Sequence, residues 1–228
     1  FRLVRQYNGA PLYCHNIPAD DLNRLSMSSA DKVFDFIKAS CDSIKDSIVV
    51  DYTNLGDMAI TGQIETGRAN QLAVLALKAR AALYHASPLF NQNNDAELWH
   101  QAALATKELV DSAEKQGKAL APTYDCLWAS NNYTDKKATP EIIFYRSVAD
   151  ANTLEKANFP VGLEGCNGGN CPTQDLVDAY EMQSTGKGIN EEGSGYNAQN
   201  PYNGRDPRFE LTICHNETKR WPNWATDL

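Results

Sequence analysis

Residues 67–91 read GRANQLAVLALKARAALYHASPLFN, and the rest of the chain is arranged around them. Alanine and leucine dominate the stretch, nothing breaks it between Arg68 and Ser87, and Pro88 stops it. Such residues propagate a helix for several turns, whereas proline ends one. Leu72, Ala76, Ala79, Leu83 and Ala86 recur at three- and four-residue steps and so share a face. The opposite face carries Ala73, Val74, Leu77 and Ala81 and is almost as apolar. A helix apolar nearly all round is buried on several sides. It is no membrane span, because Lys78 and Arg80 interrupt it and a span needs about 20 apolar residues in a row.

Outward from this helix the pattern is helical on both sides. Before it, Phe34, Ile37, Cys41, Ile44 and Ile48 make an apolar stripe opposite Asp35, Lys38, Asp42, Lys45 and Asp46. This predicts a helix from about Ser29 to Ile48, with Ser28 as N-cap and Asp31 as its capping partner. Residues 49–66 form a connector containing Gly56 and Gly62. After the central helix, residues 91–94 (NQNN) make a turn, and Asn94 with Glu97 gives a second capping signal. Leu98, Ala102, Ala105 and Leu109 line a third helix that runs to about Gln116, where Gly117 ends it. Two helices on a short polar turn are an αα-hairpin, and small alanines alternating with large side chains resemble tetratricopeptide units.

The flanking regions read differently. Residues 1–27, broken by Gly9, Pro11 and Pro18, read as irregular. Beyond Pro122, residues 141–146 (EIIFYR) and 208–214 (RFELTIC) have strand composition. Between them lie a glycine-rich loop over 147–171, a short helix from about Thr173 to Met182, and a Gly/Asn/Pro-rich segment over 183–207. Loops this long in a compact domain usually serve a function. The fold class is therefore mostly α: helix pairs over 1–121, with an irregular part carrying short strands over 122–228.

The 228 residues are 42% hydrophobic and 22% charged, with a formal net charge of −8. That balance is ordinary for a globular chain and argues against nucleic acid, which selects a basic surface. The six cysteines include no CxxC pair, so a structural zinc site is not expected. Cys41 falls on a helix core face and reads as a small buried hydrophobe. Only Cys166 and Cys171, in CNGGNC, are close in sequence; a local disulfide and two free thiols are both open readings. The first residues, FRLVR, lack the apolar core of a signal peptide, and both termini read as mid-protein boundaries.

Catalytic motifs are absent. The four histidines, His15, His85, His100 and His215, form neither HxxxH nor HExxH, and there is no GxSxG, P-loop or Rossmann fingerprint. Glu164, Glu191 and Glu192 lie in loops, where acid–base work in a glycosidase competes with plain solvation. Asn132 and Asn216 open glycosylation-type triplets that matter only in a eukaryotic secreted chain. What stands out is a loop-rich half with aromatic and amide side chains. Flat rings over sugar faces, with amides reaching hydroxyls, are what a carbohydrate surface requires. Phe159, Asn167 and Asn170 in the loop before Pro172, then Tyr133 and Trp224, are the candidate ligand residues. No catalytic residue, metal ligand or cofactor is expected.

Several motifs, in order, resemble the SusD/RagB family, the glycan-binding outer-membrane lipoproteins of Bacteroidetes. They are Tyr7-Asn8-Gly9-Ala10-Pro11-Leu12, the helix from Gly67-Arg68 through Ser87-Pro88-Leu89-Phe90-Asn91, Trp99 with Ala102 and Ala103, and Glu141-Ile142-Ile143-Phe144. Residues 172–182 (PTQDLVDAYEM) follow, then Pro201-Tyr202, Arg205-Asp206-Pro207-Arg208-Phe209 and Thr212-Ile213. Each motif alone is weak, but the ordered series spans nearly the whole chain.

The resemblance implies a SusD-like fold, with tetratricopeptide-like pairs as scaffold, and non-enzymatic capture of an oligosaccharide at the cell surface. It implies a SusC-like TonB-dependent transporter as partner and a lipid anchor on an N-terminal cysteine outside this chain, for Cys14 follows no signal sequence. Family members are about twice as long, so the chain reads as an internal piece of a single domain. The matched motifs are structural: an ion-paired turn at Arg205–Arg208 and a capped, core-packed helix at 172–182. Binding residues in this family sit in variable loops, so none transfers by motif. The alternatives are a helix-pair interaction scaffold that touches no sugar, and a glycosidase.

Overall fold

The structure, a computed structural model, describes residues 1–52, 67–124, 140–145, 153–159, 164–216 and 218. The chain divides into two compact units, Phe1–Ala121 with Asn131–Ser147, and Pro122–Ser130 with Val148–Leu228.

The described part of the first unit is built on three long helices and a short leading one. α1 (Arg2–Tyr7) leads into a two-residue strand, β1 (Gly9–Ala10), then a 3₁₀ turn (Ala19–Arg24) and β2 (Ser28–Ser29). β1 and β2 pair antiparallel, Gly9 with Ser29 and Ala10 with Ser28. α2 (Ala30–Ile44), α3 (Gln71–Ala86) and α4 (Ala96–Lys115) follow. The expectation of irregular structure over 1–27 is corrected by α1 and this ladder. Val4, fully buried, ties α1 to the helices, and one buried residue in six carries too little periodicity to announce a helix.

The three helices start where side-chain oxygens replace missing backbone partners. Ser29 caps α2 by accepting from the Lys32 amide, Asn70 caps α3 through Ala73, and Asp95 caps α4 through Glu97. The expected caps at Ser28 and Asn94 are each one residue early. Ser28 is engaged in β2, and Asn94 instead takes a left-handed turn (φ 50°) and accepts from the Trp99 indole.

α3 lies between the other two. Toward α2 it buries Ala81 in a cluster with Val4, Ala10, Ala30, Val33 and Phe34. Toward α4 it presents Ala79, Ala82 and Ala86 to Ala102 and Ala105. Small side chains on both faces let helix axes approach closely, as the alanine content predicts. Leu77 and Leu83 remain exposed, so the burial is two-sided, not all round. Cys41 is buried as expected, and burial pushes its thiol pKa up, with Asp42 adding to the effect.

A charged tetrad ties the helices further. Lys78 of α3 reaches Asp42 of α2 at 2.5 Å and Glu108 of α4 at 2.7 Å, while Lys45 pairs with Glu108 and stands 3.5 Å from Asp42. The hydrogen bonds from Lys45 and then Lys78 hold the Glu108 pKa below the ordinary range.

The EIIFYR segment is not a strand over its described residues. Pro140–Glu141 is a turn, Glu141 accepts from the Ala121 amide, and Lys118 donates to the Ile142 carbonyl. These groups are satisfied by a helix-terminal segment instead of a neighbouring strand. Tyr145 closes the segment near Gly67, whose φ of 90° is one only glycine adopts freely.

In the second unit, α5 (Thr153–Asn158), α6 (Gln174–Asp178) and α7 (Pro207–Thr212) are short and joined by turns. Residues 208–214, expected as a strand, form α7 up to Thr212. Asp206 caps it by accepting from the Arg208 amide at 2.8 Å, and Pro207 occupies the first turn. Phe209, Leu211 and Ile213 alternate as a strand would, yet Phe209 and Ile213 are also four apart, both are buried, and the Ile213 amide donates to the Phe209 carbonyl at 2.8 Å where the helix ends. α6 is shorter than the expected 173–182 because Glu181–Gln183 leaves to pair with Gly204–Asp206, and it buries no residue of its own.

Candidate functional site

The loop before Pro172 is held by α5. A helix leaves its last carbonyls without partners, and here the returning chain supplies them. The Asn167 amide donates to Lys156 O at 3.0 Å, Asn170 to Ala157 O at 3.0 Å, and Gly168 to Phe159 O at 2.9 Å. Gly165 and Gly168 take positive φ, 77° and 59°, at the two bends this return requires. Asn167 Oδ1 accepts from the Gly169 amide, which leaves its NH₂ outward.

Three of the five sequence-derived candidates, Phe159, Asn167 and Asn170, therefore lie on this one backbone return, Phe159 half-buried and the two asparagines exposed. Tyr133 and Trp224 lie outside the described residues. Cys166 and Cys171 are free thiols, directed at different carbonyls, Glu164 O at 3.9 Å and Gly168 O at 3.2 Å. Glu164, Glu191 and Glu192 are exposed, and Glu191 is spent on the Gly188 amide.

Beside this loop in sequence lies the core of the second unit. Arg205, 5% exposed, donates to the carbonyls of Pro201, Val177 and Tyr180 and lies against the rings of Phe209 and Tyr196. Its Nε is buried without a partner. Tyr202 and His215 stack at 4.1 Å, and both rings lie nearly parallel to Phe209. His215 also meets Glu210 at 3.0 Å. The ion-paired turn expected over Arg205–Arg208 is half right: Asp206 pairs with Arg208, while among the described residues Arg205 pairs with no carboxylate and serves as a carbonyl staple. The Arg208 guanidinium, helped by its amide, holds the Asp206 carboxyl down at about 2.

A family model described as the SusD family matches residues 125–224, the region that contains this loop and staple. That matched region is what ties the chain to the SusD family. Among curated proteins no sequence match is found. The fold is shared with two solved structures from Bacteroides fragilis. A SusD-like protein is 24% identical with a TM-score of 0.62, over 91% of this chain and 39% of that one. A SusD-like carbohydrate binding protein is 20% identical with a TM-score of 0.67, over 94% of this chain and 37% of that one. The chain thus spans under two-fifths of either protein's length.

Sequence reasoning missed the surfaces of the helix unit. An open apolar groove of about 540 Å³ runs between α3 and α4, lined by Leu83, Trp99, Ala103, Thr106 and Val110. A polar pocket of about 350 Å³ lies at the α3–α4 turn, with Asp31, Asp35, His85, Gln92, Asn93 and Gln101 on its walls. The i, i+4 recurrence of Asp31 and Asp35, with His85 on the next helix, was the available signal. It reads as a wet helix face until the helices are paired. No described group of three or more His, Cys, Asp or Glu could hold a metal ion, and no described helix is long and apolar enough to cross a membrane.

Proposed function

We propose that this chain is part of a cell-surface glycan-binding protein that captures an oligosaccharide without cleaving it. The single observation behind the reading is the match of residues 125–224 to the SusD family, over the region where Phe159, Asn167 and Asn170 converge. The related fold of a carbohydrate binding protein of Bacteroides fragilis supports it. Phe159 would stack on a sugar ring while the outward amides of Asn167 and Asn170 take its hydroxyls; Tyr133 and Trp224 would extend the surface. A disulfide between Cys166 and Cys171, formed under oxidising conditions, would stiffen the loop. In the same reading the whole protein is lipid-anchored at the outer membrane and passes ligand to a SusC-like TonB-dependent transporter.

Calorimetry against a panel of plant and host polysaccharides tests this. Phe159→Ala and Asn170→Ala should each weaken binding at least about tenfold, about 1.4 kcal/mol, with the melting temperature unchanged. Binding that is unaltered by both substitutions refutes the assignment to this loop.

The second reading, a helix-pair interaction scaffold, is favoured by the groove between α3 and α4, where Trp99, Leu83 and Val110 are exposed. It expects transporter capture to survive loss of all sugar binding. Trp99→Ala with Leu83→Ala would then abolish that capture.

A further inference from the structure

We propose that the polar pocket at the α3–α4 turn is a second saccharide site, taking a single non-acidic sugar residue. Its floor is His85, 3% exposed, whose ring stacks on Phe34 at 4.9 Å. Lys38 has three protons, and three acceptors surround it: Asp35 at 2.9 Å, Gln101 Oε1 at 3.0 Å and His85 Nδ1 at 3.3 Å. With Lys38 donating to Nδ1, the imidazole proton sits on Nε2 and goes to Asp31 Oδ1 at 3.0 Å. The floor is therefore polar, fully paired and fixed, as a recognition surface must be.

The rim differs. Gln92 and Asn93 are exposed, each with an amide that both donates and accepts. Asp31 and Asp35 each engage one oxygen inward and turn an exposed carboxylate edge to the pocket, and Phe90 adds an apolar face. Carboxylates and amides around an apolar edge match a ring with hydroxyls on its rim and C–H groups on its face.

Charge and size narrow the ligand. Three carboxylates, Asp31, Asp35 and Asp95, line the pocket, and its lining carries no lysine or arginine; the Lys38 ammonium is already paired with Asp35. A uronate or a sulfated sugar would meet like charge. At about 350 Å³ the volume is near the lower end for small-molecule sites, about 300–1,000 Å³, so it suits one residue and not a chain. The sugar class rests on the reading above; the pocket and its charge preference stand without it.

Amide NMR of the whole chain, titrated with glucose, galactose, N-acetylglucosamine, glucosamine and glucuronate to about 100 mM, tests the proposal at the millimolar affinity a lone sugar commands. Shifts should concentrate at residues 31–38 and 90–101 with one or more of the first four and be absent with glucuronate. Asn93→Ala and Gln92→Ala, both exposed and outside the floor network, should each weaken those shifts at least about fivefold, with unchanged melting. No shift at these residues overturns the site, as does an equal response to glucuronate or indifference to both substitutions. The Phe159→Ala binding assay separates the two sites: polysaccharide binding lost there with pocket shifts intact supports both, whereas pocket shifts without any polysaccharide binding leave this site standing and the loop reading refuted.

Discussion

The Arg205 guanidinium lies 5.1 Å from the centroid of the Phe209 ring, and both side chains are buried. The same guanidinium closes on the carbonyls of Pro201, Val177 and Tyr180. Arg205→Lys keeps the charge but loses the planar fork. It should destabilise the second unit by about 2–3 kcal/mol, the loss of charge-assisted hydrogen bonds to buried carbonyls. Chemical denaturation followed by tyrosine fluorescence measures this; a change under about 0.5 kcal/mol would show the staple to be dispensable.

Asp206 contributes through charge as well as through capping. Its folded pKa is about 2, whereas an unfolded aspartate titrates near about 3.9. The unfolded chain therefore takes up the proton first, and the stabilisation is present above pH ~4 and lost as pH falls toward ~2. Asp206→Asn retains a capping oxygen but removes the pair with Arg208. Its stability should vary less steeply than the parent's across that window, read from denaturation midpoints at successive pH values.

Phe34 is fully buried and meets Phe1, Phe90 and His85 at ring distances of 6.5, 5.0 and 4.9 Å. Phe34→Ala should cost about 3–5 kcal/mol, the usual penalty for an aromatic-sized cavity. Thermal unfolding followed by circular dichroism at 222 nm, where the three long helices dominate, would register it.

Gly9 sits where a Cβ would stand 2.5 Å from the Ser28 carbonyl oxygen. No side chain fits there while β1 and β2 stay paired. Gly9→Ala should open the ladder and raise hydrogen exchange at residues 9, 10, 28 and 29 while the α3 amides stay protected. Equal protection in both proteins would contradict the close packing.

Much of the helix unit was legible in sequence because its signals are local. Alanine and leucine at helical steps between Asn70 and Pro88 leave α3 no competing conformation, and the caps were misplaced by only one residue. The site was less legible. That the loop carrying Asn167 and Asn170 returns to Phe159 follows from backbone hydrogen bonds to the end of α5, and no periodicity encodes a return of that kind. The pocket around His85 was invisible for a similar reason: its walls come from α2, α3, α4 and the turn between the last two.

By itself, then, the sequence determined that helices run from about Ser29 to Ile48, between Arg68 and Ser87 and on to about Gln116, that the chain is mostly α, and that its motif order is SusD-like. Local propensity, capping and hydrophobic period suffice for those. Tertiary structure alone decided that RFELTIC is helical as far as Thr212, that the described residues of EIIFYR find no neighbouring strand, and that Arg205 staples carbonyls while Arg208 takes Asp206. In each case the local preference is weak or divided. The outcome rests on which distant backbone groups stand ready to complete the hydrogen bonds, and only the folded chain brings those groups within reach.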